Sequence, residues 1–147
     1  MDARIGELQQ ELEAAHIQFV DIAGRLDPAK RDAAGVCGEW SPREVAAHLV
    51  GWDASVKQLI DDIENFEPPY DVHGFNQRSV AARADRAWRT VMSELSTNFT
   101  ELTQALATVT PDMRIYDHVT GWLGGRLEDY RLHTGQLEAW VEEGQNE

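Results

Sequence analysis

Apolar residues recur along this chain at alternating intervals of three and four, and no segment alternates with a period of two over strand length. That periodicity lays one apolar stripe on each of several α-helices and predicts no sheet. The first stripe is Ile5, Leu8, Leu12, Ala15, Phe19, Ile22 and Leu26. It predicts a helix from Asp2 to Arg25, stopped by Asp27-Pro28 because a residue ahead of proline avoids the α region. A sharper start signal comes next. Ser41-Pro42-Arg43-Glu44 sets serine at the N-cap, proline at the first helical position and glutamate at the third, which makes a capping box. The stripe behind it is Val45, Leu49, Trp52, Val56, Leu59 and Ile63, and Glu67-Pro68-Pro69 ends it near Asn65 or Phe66.

A polar stretch from Pro68 to Gln77 crosses to a third stripe. This one comprises Val80, Ala84, Ala87, Trp88, Val91, Leu95, Phe99, Leu102 and Leu106, with Thr110-Pro111-Asp112 on its far side. A loop over Met113 to Thr120 precedes the fourth helix, which is expected to begin within Gly121 to Arg126. Its stripe is Leu123, Leu127, Tyr130, Thr134, Leu137 and Val141, and Gly144 is its candidate C-cap. Four amphipathic helices bury four stripes against one another. The expected fold is therefore all-α, an antiparallel four-helix bundle formed by residues 1–147 as a single domain. The crossovers after the second and third helices leave room for a connection other than simple up-down.

The chain carries 13 basic and 26 acidic residues, a formal net charge of −13. Such a surface repels a phosphate backbone and an anionic membrane, so neither nucleic acid nor membrane is expected as a partner. Cys37 is the only cysteine, which rules out an intrachain disulfide. The first residues contain no apolar signal segment, and no apolar run approaches the ~18 residues of a membrane span. A cytoplasmic location is expected.

Three residues draw attention as chemistry. His48 lies three after Val45 and four before Trp52, so it points inward or along the seam. Asp129 and His133 are four apart on the last helix and share one face. Two nitrogens and one oxygen from facing helices are the donors from which bundles build open metal sites, with positions left for water or substrate. The plainer alternatives are a core histidine bonded to a carbonyl or a tyrosine, and an Asp–His hydrogen bond. Tyr130 is a candidate general acid or base beside the three, or else a core aromatic. Trp52 and Trp140 fit core positions. His16 lies beside the first stripe, and His73, His118 and Cys37 fall in expected loops. Trp122-Leu123-Gly124-Gly125 either lets backbone approach a ligand or frays a helix start.

The run Gly38-Glu39-Trp40-Ser41-Pro42-Arg43-Glu44-Val45-Ala46-Ala47-His48-Leu49-Val50-Gly51-Trp52 resembles the second-helix signature of the DinB-like superfamily. Asp129-Tyr130-Arg131-Leu132-His133 through Trp140 resembles its last helix, and the region of Asn76 is similar to the ClbS/DfsB branch. The resemblance implies a four-helix bundle, often a homodimer. It implies a divalent ion, zinc or nickel, on His48, Asp129 and His133. Asp129 stands where a histidine is usual, and the related mycothiol-dependent maleylpyruvate isomerases have an acidic residue there. The implied function is binding or detoxification of an unidentified small molecule, by hydrolase-type or thiol-transferase-type chemistry. The alternative is a bundle without metal that only binds a ligand or dimerises.

Overall fold

Helix α1 spans Ala3–Gly24, with the Asp2 side chain accepting from the Ile5 amide as its N-cap, in a computed structural model that describes residues 1–145. A short 3-10 turn over Pro28–Lys30 leads to α2, Pro42–Asp61. Both halves of the capping box form: Glu44 N donates to Ser41 Oγ at 3.2 Å and Ser41 N donates to Glu44 Oε1 at 3.1 Å. Helix α3 spans Val72–Ala81, α4 Trp88–Leu106 and α5 Tyr116–Gln145. Among the described residues the architecture is all-α, and the four long helices form the expected bundle.

Contacts along the helices fix their directions. Tyr116 bonds Asp2, Tyr130 meets His16, and Trp140 bonds the Lys30 carbonyl, so α1 and α5 run parallel and side by side. Arg43, early in α2, bonds the Arg83 carbonyl just ahead of α4, whereas Lys57, late in α2, feels the charge of Glu101 late in α4. Those two helices are parallel as well. His48 and Asp53 of α2 meet Asp129 and Arg126 of α5 in descending order, which sets one parallel pair antiparallel to the other. A parallel step from α2 to α4 needs a crossover, and α3 lies on that crossover.

Three boundaries depart from the sequence reading. α2 ends at Asp61 rather than near Asn65. The third stripe is divided between α3 and α4 by turns that leave Ala84 and Ala87 exposed. Asp71 caps α3 by accepting from the Gly74 amide, which starts a helix inside the stretch expected to be loop. The fourth helix starts at Tyr116, not within Gly121 to Arg126, because Ile115, Val119 and Leu123 extend its buried stripe across the glycines. Each helical glycine costs about 1 kcal/mol relative to alanine, and each buried aliphatic chain returns about 1.5–3 kcal/mol. Gly144, expected as the C-cap, lies inside α5, which spans to Gln145.

The core is built from the four stripes. Phe19, Leu49, Leu95, Leu102, Leu123 and Tyr130 are among its fully buried side chains. Gly51 seats α3 on α2. A Cβ there would stand 2.3 Å from Ser79 Oγ and 2.6 Å from Ser79 Cβ. Gly51→Ala is therefore expected to lose about 1–3 kcal/mol through overpacking, measured by urea unfolding. Pairing it with Ser79→Gly should restore part of that loss. An unchanged midpoint in the single variant would show that α3 is not seated by this contact.

Candidate metal centre

Residues His48, Asp129 and His133 come together where α2 meets α5. One donor atom from each lies within 4.8 Å of the others. His48 Nε2 is 2.9 Å from Asp129 Oδ2, and His133 Nε2 is 3.0 Å from Asp129 Oδ1. The two imidazoles stand edge to face, 5.2 Å apart. Both histidines are buried, and Asp129 is partly open.

The far nitrogen of each ring is also held. His48 Nδ1 lies 3.0 Å from Asn76 Oδ1, which also accepts from Trp52 Nε1 at 2.7 Å. Indole N–H can only donate, so the Asn76 atom between the two rings is oxygen. That oxygen selects the tautomer of His48 with hydrogen on Nδ1, which leaves the Nε2 lone pair toward Asp129. His133 Nδ1 is 2.7 Å from Gln136 Oε1 in the same manner. Each ring thus faces oxygen acceptors on both sides, and a neutral imidazole has one hydrogen to give. A cation among the two Nε2 atoms and the carboxylate satisfies all of them, so the donor set fits a divalent metal.

Behind the cluster lies a buried ionic chain. Arg126 Nη1 donates to Asp129 Oδ2 at 2.7 Å, and Arg126 Nε donates to Asp53 Oδ1 at 2.9 Å. Tyr130 donates to the other Asp53 oxygen, and its hydroxyl meets His16 Nδ1 at 3.2 Å. His16 stacks on Phe99 with ring centroids 4.1 Å apart. Burial raises the Asp129 carboxyl, but its close polar contacts with His133 and His48 and the Arg126 charge outweigh it and hold it far below the usual carboxylate range. Burial works against the Arg126 charge too, and Asp53 and Asp129 more than restore it. The Tyr130 hydroxyl is pushed up by burial and then by Asp53. Tyr130 is wholly buried and is not part of the cleft lining described below.

Burial lowers the pKa of His16, against the opposing pull of Asp53 and Glu13. The unfolded chain therefore takes up this proton at a higher pH than the folded one. Its contribution to stability is complete above about pH 6.5 and drains away as pH falls below that value. Thermal melts at about pH 7.5 and about pH 5.5 should show a smaller loss in His16→Gln than in the wild type. Equal losses would remove His16 from the account.

Beside the cluster opens a cleft of about 350 Å³ between α2, α3 and α5. His48, Asn76, Arg126 and Asp129 line its polar end, and Trp52, Val72, Gly121, Trp122 and Gly125 line the rest. Trp52, expected in the core, is half-buried at this wall, and the buried stripe position next to it is Asp53. Trp140 packs elsewhere, on the Lys30 carbonyl. His118 and His73 lie at two other hollows, the second shared with Cys37. Sequence reasoning overlooked Asp53 and Arg126, and it marked the region of Asn76 by family likeness without its bond to His48. For the first two a signal existed: Asp53 is four after Leu49 and three before Val56, and Arg126 is three after Leu123 and four before Tyr130. Both are stripe positions that charged residues seldom hold unpaired.

The profile of the mycothiol maleylpyruvate isomerase N-terminal domain family matches residues 12–142. Among solved structures, an uncharacterised protein from Escherichia coli UTI89 superposes with a TM-score of 0.80 at 16% identity, over 96% of this chain and 94% of that one. At that identity the likeness speaks for the fold. No curated protein matches the chain. Among the described residues, no helix is long and apolar enough to cross a membrane.

Proposed function

We propose that this chain, which belongs to the mycothiol maleylpyruvate isomerase N-terminal domain family, binds a divalent metal through His48, Asp129 and His133 and acts on a small molecule in the adjoining cleft. The observation that carries the reading is the convergence of both Nε2 atoms on one carboxylate, with both Nδ1 atoms already held. Three protein donors leave room for an exogenous group, as in catalytic rather than structural zinc sites. A zinc- or nickel-like ion, when bound, acidifies a coordinated water or thiol and polarises a substrate oxygen.

The chain's own residues have separate tasks in this reading. Asn76 and Gln136 orient the imidazoles. Arg126 keeps Asp129 ionised and holds its Oδ2 edge. Asp53, Tyr130 and His16 brace Arg126 from behind, so Tyr130 serves as a positioning residue. Trp52 and Trp122 shield the cleft from water. The family is named for a thiol, mycothiol, which favours activation of a low-molecular-weight thiol over plain hydrolysis. Placement in the ClbS/DfsB branch rests on the tryptophan–histidine signature and Asn76, and it would permit detoxification chemistry in the same cleft. Association of two copies of one DinB-like domain belongs to the same proposal.

Metal analysis of untagged protein tests the reading, together with melting temperature on adding zinc, nickel or manganese. The expected result is about one ion per chain and an upward shift of several degrees with the preferred metal. Protein that takes up no metal and shows no shift would leave the second reading, a bundle that binds a ligand or dimerises without catalysis.

A further inference from the structure

Gly121, Gly125 and Asp129 follow one another at intervals of four, which puts them in line along one face of α5. All three line the cleft beside the cluster. A Cβ built on Gly121 or on Gly125 would meet nothing within 4 Å. Packing within the chain therefore does not require either glycine, and in a helix interior both oppose stability. They leave bare backbone as the floor of a trough that runs toward Asp129. Trp52 and Trp122, packed edge to face with ring centroids 6.1 Å apart and planes at 82°, form one wall beside it.

A second observation points to an occupant. Arg126 also lines the cleft, and its side chain is 5% exposed. Its Nε and Nη1 are bound to Asp53 and Asp129, while Nη2 is buried with no hydrogen-bond partner. A buried donor left in that condition is costly, and an acceptor oxygen on a ligand would recover the loss. A glycine floor admits a flat group at backbone distance, and an indole wall favours ring contacts over aliphatic ones.

We propose that Gly121, Gly125, Trp52 and Trp122 form a subsite for a planar, conjugated part of the substrate, whose acceptor oxygen meets Arg126 Nη2. The inference rests on the cleft being the working site, and it adds the chemical class of what enters. In the bound arrangement the flat group lies along α5 and its oxygen-bearing end reaches the side of Asp129.

Titration calorimetry with 2-naphthoate on the full chain, zinc-loaded and metal-free, tests this. Cyclohexylacetate serves as a non-planar anion and 2-naphthylmethylammonium as a planar probe without an acceptor. Naphthoate is expected to bind at least about tenfold more tightly than either control. Gly125→Leu should weaken naphthoate by about tenfold or more, with a melting temperature at or above that of the wild type and unchanged zinc affinity. Gly121→Ala should act in the same direction and serves where the larger side chain impairs folding. Undiminished naphthoate binding in a folded glycine variant would overturn the proposal, as would equal binding of cyclohexylacetate or no binding by the wild type. Failure of the metal reading has a different signature: no zinc uptake by the wild type, with naphthoate binding still sensitive to Gly125.

Discussion

Alanine at His48 or at His133 is expected to weaken zinc by about a hundredfold or more. Structural zinc sites with four ligands bind with about 10–16 kcal/mol, so one ligand carries about 3 kcal/mol. Each imidazole is held on its far side, by Asn76 or by Gln136, and no other histidine among the described residues joins the cluster to replace it. Asp129→Ala should weaken the metal as well, and it strips Arg126 of one of its two carboxylate partners. Asn76→Ala is expected to fall between wild type and the ligand variants, at about tenfold, because it frees the tautomer of His48 without removing a donor. Equilibrium dialysis against a zinc chelator of known affinity measures all four. Wild-type affinity in both histidine variants would show that the ion sits elsewhere.

Loss of the Asp53 carboxylate should be the most destabilising single change in the core. Asp53 is 0% exposed and its partner Arg126 is 5% exposed. Asp53→Ala leaves the guanidinium buried against Asp129 alone and deprives Tyr130 of its acceptor. Breaking a buried pair by removing one member costs about 3–5 kcal/mol, which in a chain of this size lowers the melting temperature by on the order of 10 °C. The pair itself need not be a net source of stability, because its desolvation opposes its attraction. The double change Asp53→Leu with Arg126→Met should therefore regain much of the loss while still perturbing Asp129. Melts of metal-free protein separate the two effects. A loss below about 1 kcal/mol in Asp53→Ala would mean that water reaches Arg126.

Local pattern made the long helices legible. Ile5 to Leu26 and Val45 to Leu59 read as stripes because burial repeats with the helical turn, and the capping box at Ser41 marked one start to the residue. The beginning of α5 was misread because Gly121, Gly124 and Gly125 signal a break locally, whereas Ile115 and Val119 are retained by partners far along the chain. α3 escaped notice because its ten residues bury little, and Asp71 was the only cue. In the site, the Asp129–His133 spacing is a helical fact and was readable. The meeting of His48 with Asp129 spans 81 positions and belongs to the fold. Asn76 was invisible as a partner of His48 for the same reason. Asp53 and Arg126 were hidden because charged side chains mostly face solvent, and the pairing that buries these two spans 73 positions and belongs to the fold.

The parallel register of α1 and α5 has a consequence for how the molecule comes into being. During synthesis α1 emerges with its apolar stripe complete, well before α5, the neighbour that runs alongside it. Until then the stripe from Ile5 to Ile22 has no permanent cover, a period of exposure in which chaperones or premature association can act. The same helix, α5, delivers Asp129 and His133. Closure of the core and assembly of the metal donors are one event, so a chain able to hold the ion is a chain whose α1 and α5 have already found each other.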